Sequence, residues 1–170
     1  MATQEERRTA TQNAIVEAAF SAFVHQGSPD VALEDIARDA GVTKGTILYH
    51  YQSRAGLLSA VAVRLFRDIE DSAAKGGSSD AVSYVRKVLT AQAGPVGRVL
   101  FTIGDELLRI GELEAIDPYR HLKQRLEDLG VPSSPAVTAG AVLQFGRQLA
   151  FGLADRKEIP AMLRDLDLSR

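Results

Sequence analysis

Leu33-Glu34-Asp35-Ile36-Ala37-Arg38-Asp39-Ala40-Gly41-Val42-Thr43-Lys44-Gly45-Thr46-Ile47-Leu48-Tyr49-His50 is the stretch that decides the fold of this 170-residue chain. Ile36-Ala37 places a bulky apolar residue before a very small one, as a helix needs where a second helix crosses it closely. Four residues after Ala37, Gly41 supplies the positive φ that stops one helix and turns sharply into the next, with Ala40 and Val42 packing on either side. Thr43 then stands at the N-cap of the second helix, its hydroxyl placed to accept an orphan backbone N–H, and Ile47 anchors that helix inward. This is helix-turn-helix spacing. An ordinary helical hairpin with a glycine cap shares it, so the outward side chains carry the functional reading.

Left outward are Thr43, Lys44, Gly45, Thr46, Leu48 and Tyr49. Hydroxyls, one cation, a glycine that permits close approach and an aromatic ring suit the DNA major groove, where base edges and thymine methyls are read. Between Thr43 and Arg54 the chain carries Lys44, His50 and Arg54 and no acid, a local electropositive rim. Residues 1 to 56 as a whole hold five Lys or Arg against seven acids, a balance that argues mildly against nucleic acid. The local rim weighs more, because phosphate contacts act within a Debye length of about 8 Å.

Asp35-Ile36-Ala37, Ala40 through Tyr51, Ser53-Arg54 and Leu57-Leu58 together resemble the DNA-binding domain of the TetR family of bacterial transcriptional regulators, over roughly residues 11 to 58. The resemblance implies that Lys44, Gly45, Thr46, Leu48 and Tyr49 face bases or sugar edges, while Thr43, His50 and Arg54 fix the phosphate backbone. Leu48 stands where the family usually has tyrosine, which replaces a hydroxyl contact with an apolar one to a thymine methyl. Ala32 stands where a threonine is frequent, which removes a cap and a phosphate contact. Tyr51 replaces the usual phenylalanine and reads as core, with a hydroxyl that must find a partner or water.

Periodicity makes the chain all-α. Ile15, Ala18, Ala19, Ala22 and Phe23 form one buried stripe, ended by Gly27 and Pro29. Leu58, Val61, Leu65 and Ile69 run onward to a break at Ala73 to Asp80. Three further stripes follow: Val82, Val85 and Leu89; Val96, Val99, Leu100, Ile103 and Leu107; Tyr119, Leu122, Leu126 and Leu129 after Asp117-Pro118. The expected organisation is a three-helix DNA-binding domain over residues 1 to 56 and a helical-bundle regulatory and dimerisation domain over 57 to 170. The second part holds fifteen cations and fifteen acids, so it exerts no net pull on DNA.

Residues 136 to 154 are apolar almost all round, which demands burial on two sides. Gln144, Arg147 and Gln148 exclude a membrane span. One face is expected to close the bundle and the other to meet a second copy, with Val137, Gly140, Ala141 and Gln148, and Met162 of the closing amphipathic stretch, at a homodimer interface. The resemblance further implies a small-molecule inducer held among Leu65, Leu100, Ile103, Leu107 and Phe145, with Thr102 and Gln144 as polar anchors. Arg147 within this apolar helix is open to three readings, an ion pair with an acid across the dimer, a contact to an anionic ligand head group such as a carboxylate, or a side chain that snorkels to water, of which the ion pair is favoured.

The absence of cysteine excludes disulfides, thiolate metal sites and a cysteine nucleophile. His25, His50 and His121 lie in separate segments without metal spacing, and no nucleophile elbow or phosphate-cradling loop is present, so no enzyme, metal or cofactor is expected. The N-terminus lacks the apolar run of a secretory signal, which points to the cytoplasm. The expectation is a dimeric regulator, by analogy a repressor, released from a pseudo-palindromic operator by an apolar or amphipathic ligand. The rival reading is a helical dimer that binds a ligand or partner and recognises DNA little.

Overall fold

A computed structural model describes residues 3–74, 80–111, 118–166 and 168. The helices are α1 (Gln4–Gln26), α2 (Leu33–Asp39), α3 (Lys44–Tyr51), α4 (Arg54–Ala74), α5 (Ala81–Gln92), α6 (Pro95–Arg109), α7 (Pro118–Asp128), α8 (Pro135–Ala150) and α9 (Ile159–Asp165), with a short 3-10 turn at Arg156–Glu158. No strand occurs among the described residues, so the chain is all-α. The connector Lys75 to Ser79 and the break at Asp117 lie outside the described residues.

Two compact units divide the chain: Met1–Arg64 with Thr102–Ala115, and Leu65–Phe101 with Ile116–Arg170. Position 56/57, where composition and spacing place the domain boundary, falls within the first turn of α4.

In the first unit α1 opens earlier than its apolar stripe indicates. Thr3 accepts from the Glu6 amide at 3.2 Å and its own amide donates to the Glu6 carboxylate at 2.6 Å, a capping box that satisfies helix-end donors from both directions. Gly27 ends the helix at φ 72, as read. Ile15, Ala19 and Phe23 of α1, Ile36 and Ala37 of α2, Ile47 of α3 and Leu57, Leu58 and Val61 of α4 are all buried. Burying each large side chain among them contributes about 1.5–3 kcal/mol. The α2–α3 unit therefore sits on a fixed base.

In the second unit α8 packs on α5 and α7, and α9 on α5. Val85 and Leu89, Leu122 and Leu126, Ala139, Val142 and Leu149, and Ile159 and Leu163 fill its interior. Three cations close helix ends by donating to backbone carbonyls: Lys87 to Ala73 at 3.1 Å, Arg156 to Ala93 at 2.8 Å and Arg98 to Ala150 at 3.3 Å. Carbonyls at a helix C-terminus lack intrahelical donors and favour a cation there. No helix of the described residues is long and apolar enough to cross a membrane.

Candidate nucleic-acid interface

The turn between α2 and α3 is built locally. Gly41 takes φ 67, and the Val42 amide donates to the Ala37 carbonyl at 2.9 Å. Thr43 is extended at φ −96 and its hydroxyl oxygen accepts from the Thr46 amide at 3.1 Å. Its hydroxyl also lies 2.9 Å from that of Thr46. Ala32, by contrast, begins α2 with no side-chain cap, consistent with its lack of a hydroxyl.

Of the expected contact residues, Thr43, Lys44, Gly45, Leu48 and Tyr49 are exposed and Thr46 is half-buried. Tyr49 is the most open, 78% exposed, with its ring edge-on to His50 at 5.2 Å between centroids. The Tyr49 ring is therefore held out in water rather than packed into the core.

His50 and Arg54 stand differently. His50 is half-buried, and its Nδ1 is enclosed without a hydrogen-bond partner. The Arg54 guanidinium donates to the Val31 carbonyl at 2.6 Å and to the Pro29 carbonyl, with Asp30 at 4.0 Å. It ties the start of α4 to the loop between α1 and α2, so much of its donor capacity is spent inside the unit.

Charge on this face is internally matched. The Lys44 ammonium donates to Glu34 at 2.7 Å across the turn, and Arg38 pairs with Asp35 one turn along α2. The hydrogen bond from Lys44 holds the Glu34 carboxyl below the usual carboxylate range.

A notch of about 380 Å³ opens between the first turns of α1 and the end of α3, where Gln4, Glu5 and Arg8 meet Tyr49 and His50. Periodicity missed these α1 residues because the apolar stripe starts only at Ile15. Thr3 and Glu6, three residues apart, were the signal that the helix begins earlier.

The expected ligand residues divide between the units. Leu65 and Leu100 are buried and Phe145 is half-buried in the second, whereas Ile103 and Leu107 are fully buried in the first, on the last turns of α6. Thr102 belongs to the first unit and is half-buried, and Gln144 is exposed. Along α8 the expected dimer residues are uncovered to differing degrees: Val137 is 72% exposed, and Gly140, Ala141 and Gln148 are half-buried, as is Met162 on α9. Arg147 is exposed, with its guanidinium 5.3 Å from the centre of the Phe151 ring.

Residues 15–61 match the family described as bacterial regulatory proteins, tetR family. The chain is 30% identical over 126 residues, 74% of its length, to the HTH-type transcriptional regulator TtgR of Pseudomonas putida. Matches to three curated relatives span 38%, 24% and 56% of those proteins' own lengths. Among solved structures, a transcriptional regulator from Rhodococcus sp. Rha1 superposes with a TM-score of 0.71 at 12% identity, covering 92% of this chain and 93% of that one. The TetR-like transcriptional regulator LfrR from Mycobacterium smegmatis, in complex with proflavine, gives a TM-score of 0.57 at 22% identity, covering 94% and 96%. A helix-turn-helix with this capped turn, matched across residues 15–61 and carried on a fold of this kind, makes the N-terminal part of the chain similar to the family described as bacterial regulatory proteins, tetR family.

Proposed function

We propose that this protein is a sequence-specific, DNA-binding transcriptional regulator that acts as a homodimer in the cytoplasm. The outward face of α3 carries the reading: Thr43, Lys44, Gly45, Leu48 and Tyr49 stand in water with Thr46 half-exposed among them, while Ile47 behind them is fully buried. Lys44 and Thr46 offer donors to base edges, Leu48 offers a methyl contact, and Tyr49 combines a ring with a hydroxyl. The capped start of α3 and the rim at His50 and Arg54 hold the phosphate backbone, with Arg8 of α1 flanking the same end of the helix.

Dimerisation through α8 and α9 brings two α3 helices to successive major grooves of a pseudo-palindromic operator. The uncovered Val137 and the half-buried Gly140, Ala141, Gln148 and Met162 support this placement. Residues 57–170 act as the regulatory half. A small apolar or amphipathic ligand in that half releases the DNA, and the sign of control, taken by analogy alone, is repression. Support for a ligand comes from the proflavine complex of LfrR, a protein of the same fold. The regulator reading assigns the chain no enzymatic step.

A second reading, a helical dimer with little DNA recognition, is favoured by one observation: both α2–α3 cations other than His50 are paired with α2 acids. Titration of labelled duplex DNA at increasing salt decides between the two. The regulator gives sequence-dependent binding that weakens linearly in log salt; the rival gives no duplex binding in the presence of an intact dimer.

A further inference from the structure

The ion pair between Lys44 and Glu34 is the most consequential feature of the α2–α3 face that the sequence reading leaves without a role. Lys44 is the first residue of α3, the position nearest an approaching duplex in a helix-turn-helix. Its ammonium is held at 2.7 Å by a carboxylate ten residues earlier, on the first turn of α2. Both side chains are open to water, 50% and 62% exposed, so burial does not lock the pair and DNA reaches it freely. Arg38, the other full cation on α2 and α3, is held by Asp35.

We propose that Glu34 is a specificity-determining residue that acts by competing with DNA for Lys44. The proposal rests on the DNA-binding reading above. The carboxylate occupies the ammonium with the same chemistry a phosphate would use, a charge-assisted hydrogen bond to an anionic oxygen. On a non-cognate duplex Lys44 exchanges one anionic partner for another and gains little, while the Glu34 carboxylate is brought toward the negative backbone. On the cognate duplex Lys44 meets base-edge acceptors such as guanine O6 and N7, held in register by Tyr49, Thr46 and Leu48, and the exchange becomes favourable. Glu34 thus lowers non-specific affinity more than specific affinity, and discrimination is a difference between the two.

The test uses the full chain, the duplex it enriches from a random pool, and a random-sequence duplex of the same length. Wild type, Glu34→Gln, Lys44→Gln and the double variant are titrated with both duplexes across a series of salt concentrations. Since exposed ion pairs are weak, the expected effect of Glu34→Gln is a tightening of about two- to fivefold on the random duplex, on the order set by such pairs. The slope of log affinity against log salt steepens by about 0.9, the release expected for one added phosphate contact, and the ratio of cognate to random affinity falls. The gain disappears in the Lys44→Gln background. Unchanged random-duplex affinity and slope in Glu34→Gln overturns the proposal. So does a gain that persists without Lys44, which makes Glu34 a simple repulsive charge, and so does a loss confined to the cognate duplex, which makes Glu34 a direct base reader. Failure of the wild type to bind or enrich any duplex overturns the DNA-binding reading itself. An unchanged thermal melt of Glu34→Gln separates all these outcomes from a folding defect.

Discussion

The phenolic hydroxyl of Tyr51 donates to the main-chain carbonyl of Gln12 at 2.9 Å, joining the last residue of α3 to α1 across 39 residues of sequence. α3 is only eight residues long, too short to hold its own direction in water. Its buried Ile47 fixes one point and the Tyr51 hydrogen bond a second. Tyr51→Phe keeps the ring and removes the bond, so the protein loses about 1 kcal/mol of stability, read as a lower melting temperature with helicity retained below the transition. A melting temperature equal to wild type shows that the bond contributes nothing to holding α3.

Gly146 of α8 is required by Gln92 of α5. A Cβ added at Gly146 falls 1.8 Å from the Gln92 side-chain oxygen, and Gln92 is 1% exposed with that oxygen unpartnered. Gly146→Ala therefore destabilises by about 1–3 kcal/mol through overpacking. Gln92→Ala introduced with it recovers part of that loss, because the clashing carboxamide is gone. Denaturant unfolding of the two single variants and the pair reads the coupling; strictly additive effects contradict the close packing.

How much was legible in the sequence follows the distance over which each feature is determined. The α2–α3 turn was readable because Gly41, Thr43 and Ile47 each act within four residues of where they stand. Burial along α4 to α7 was readable because helical spacing marks an apolar face. Spacing does not say what that face meets, and Ile103 and Leu107 accordingly belong to the first compact unit while Leu100, three residues before Ile103, belongs to the second. The hydrogen bonds of Arg54 to the Pro29 and Val31 carbonyls were not legible, because nothing local reveals that those carbonyls turn toward it. Tyr51 was seen to need a partner, but the identity of Gln12 depends on the packing of α1. The Glu34–Lys44 pair spans a turn and lies outside any helical i,i+4 pattern, so charge counting missed it.

Tyr84 carries the clearest pH signature. Burial and the nearby Glu70 charge push its phenol up to about 12 from 10.0, opposed by the Arg125 guanidinium, which lies 5.8 Å from the ring centre. A folded-state value above the unfolded one means that the neutral phenol's contribution to stability is complete below pH 10 and is lost as pH rises through about 12. Tyr84→Phe removes this group, so its stability declines less steeply over that alkaline range, and the phenolate absorbance component appearing near pH 12 disappears. An alkaline decline identical in the two proteins contradicts the assignment.

Lys44 and Tyr49 are exposed, and the proposed function gives both of them base contacts. Lys44→Ala and Tyr49→Ala each weaken cognate binding by about 1–3 kcal/mol and leave dimerisation and helicity unaltered. Isotherms on the cognate duplex, with light scattering on the same samples, check both halves of this statement. Cognate affinity unchanged in both variants removes α3's outward face from the contact surface.

The central claim is that a dimer of this chain reads DNA sequence through α3, and selection of bound duplexes from a random pool by the purified, ligand-free protein at near-physiological salt tests it most directly. The expected result is a motif with two-fold symmetry, its half-sites one helical turn or a multiple of it apart, as two symmetry-related reading helices require. A pool without enrichment, recovered from a protein shown by light scattering to be an intact dimer, contradicts that claim.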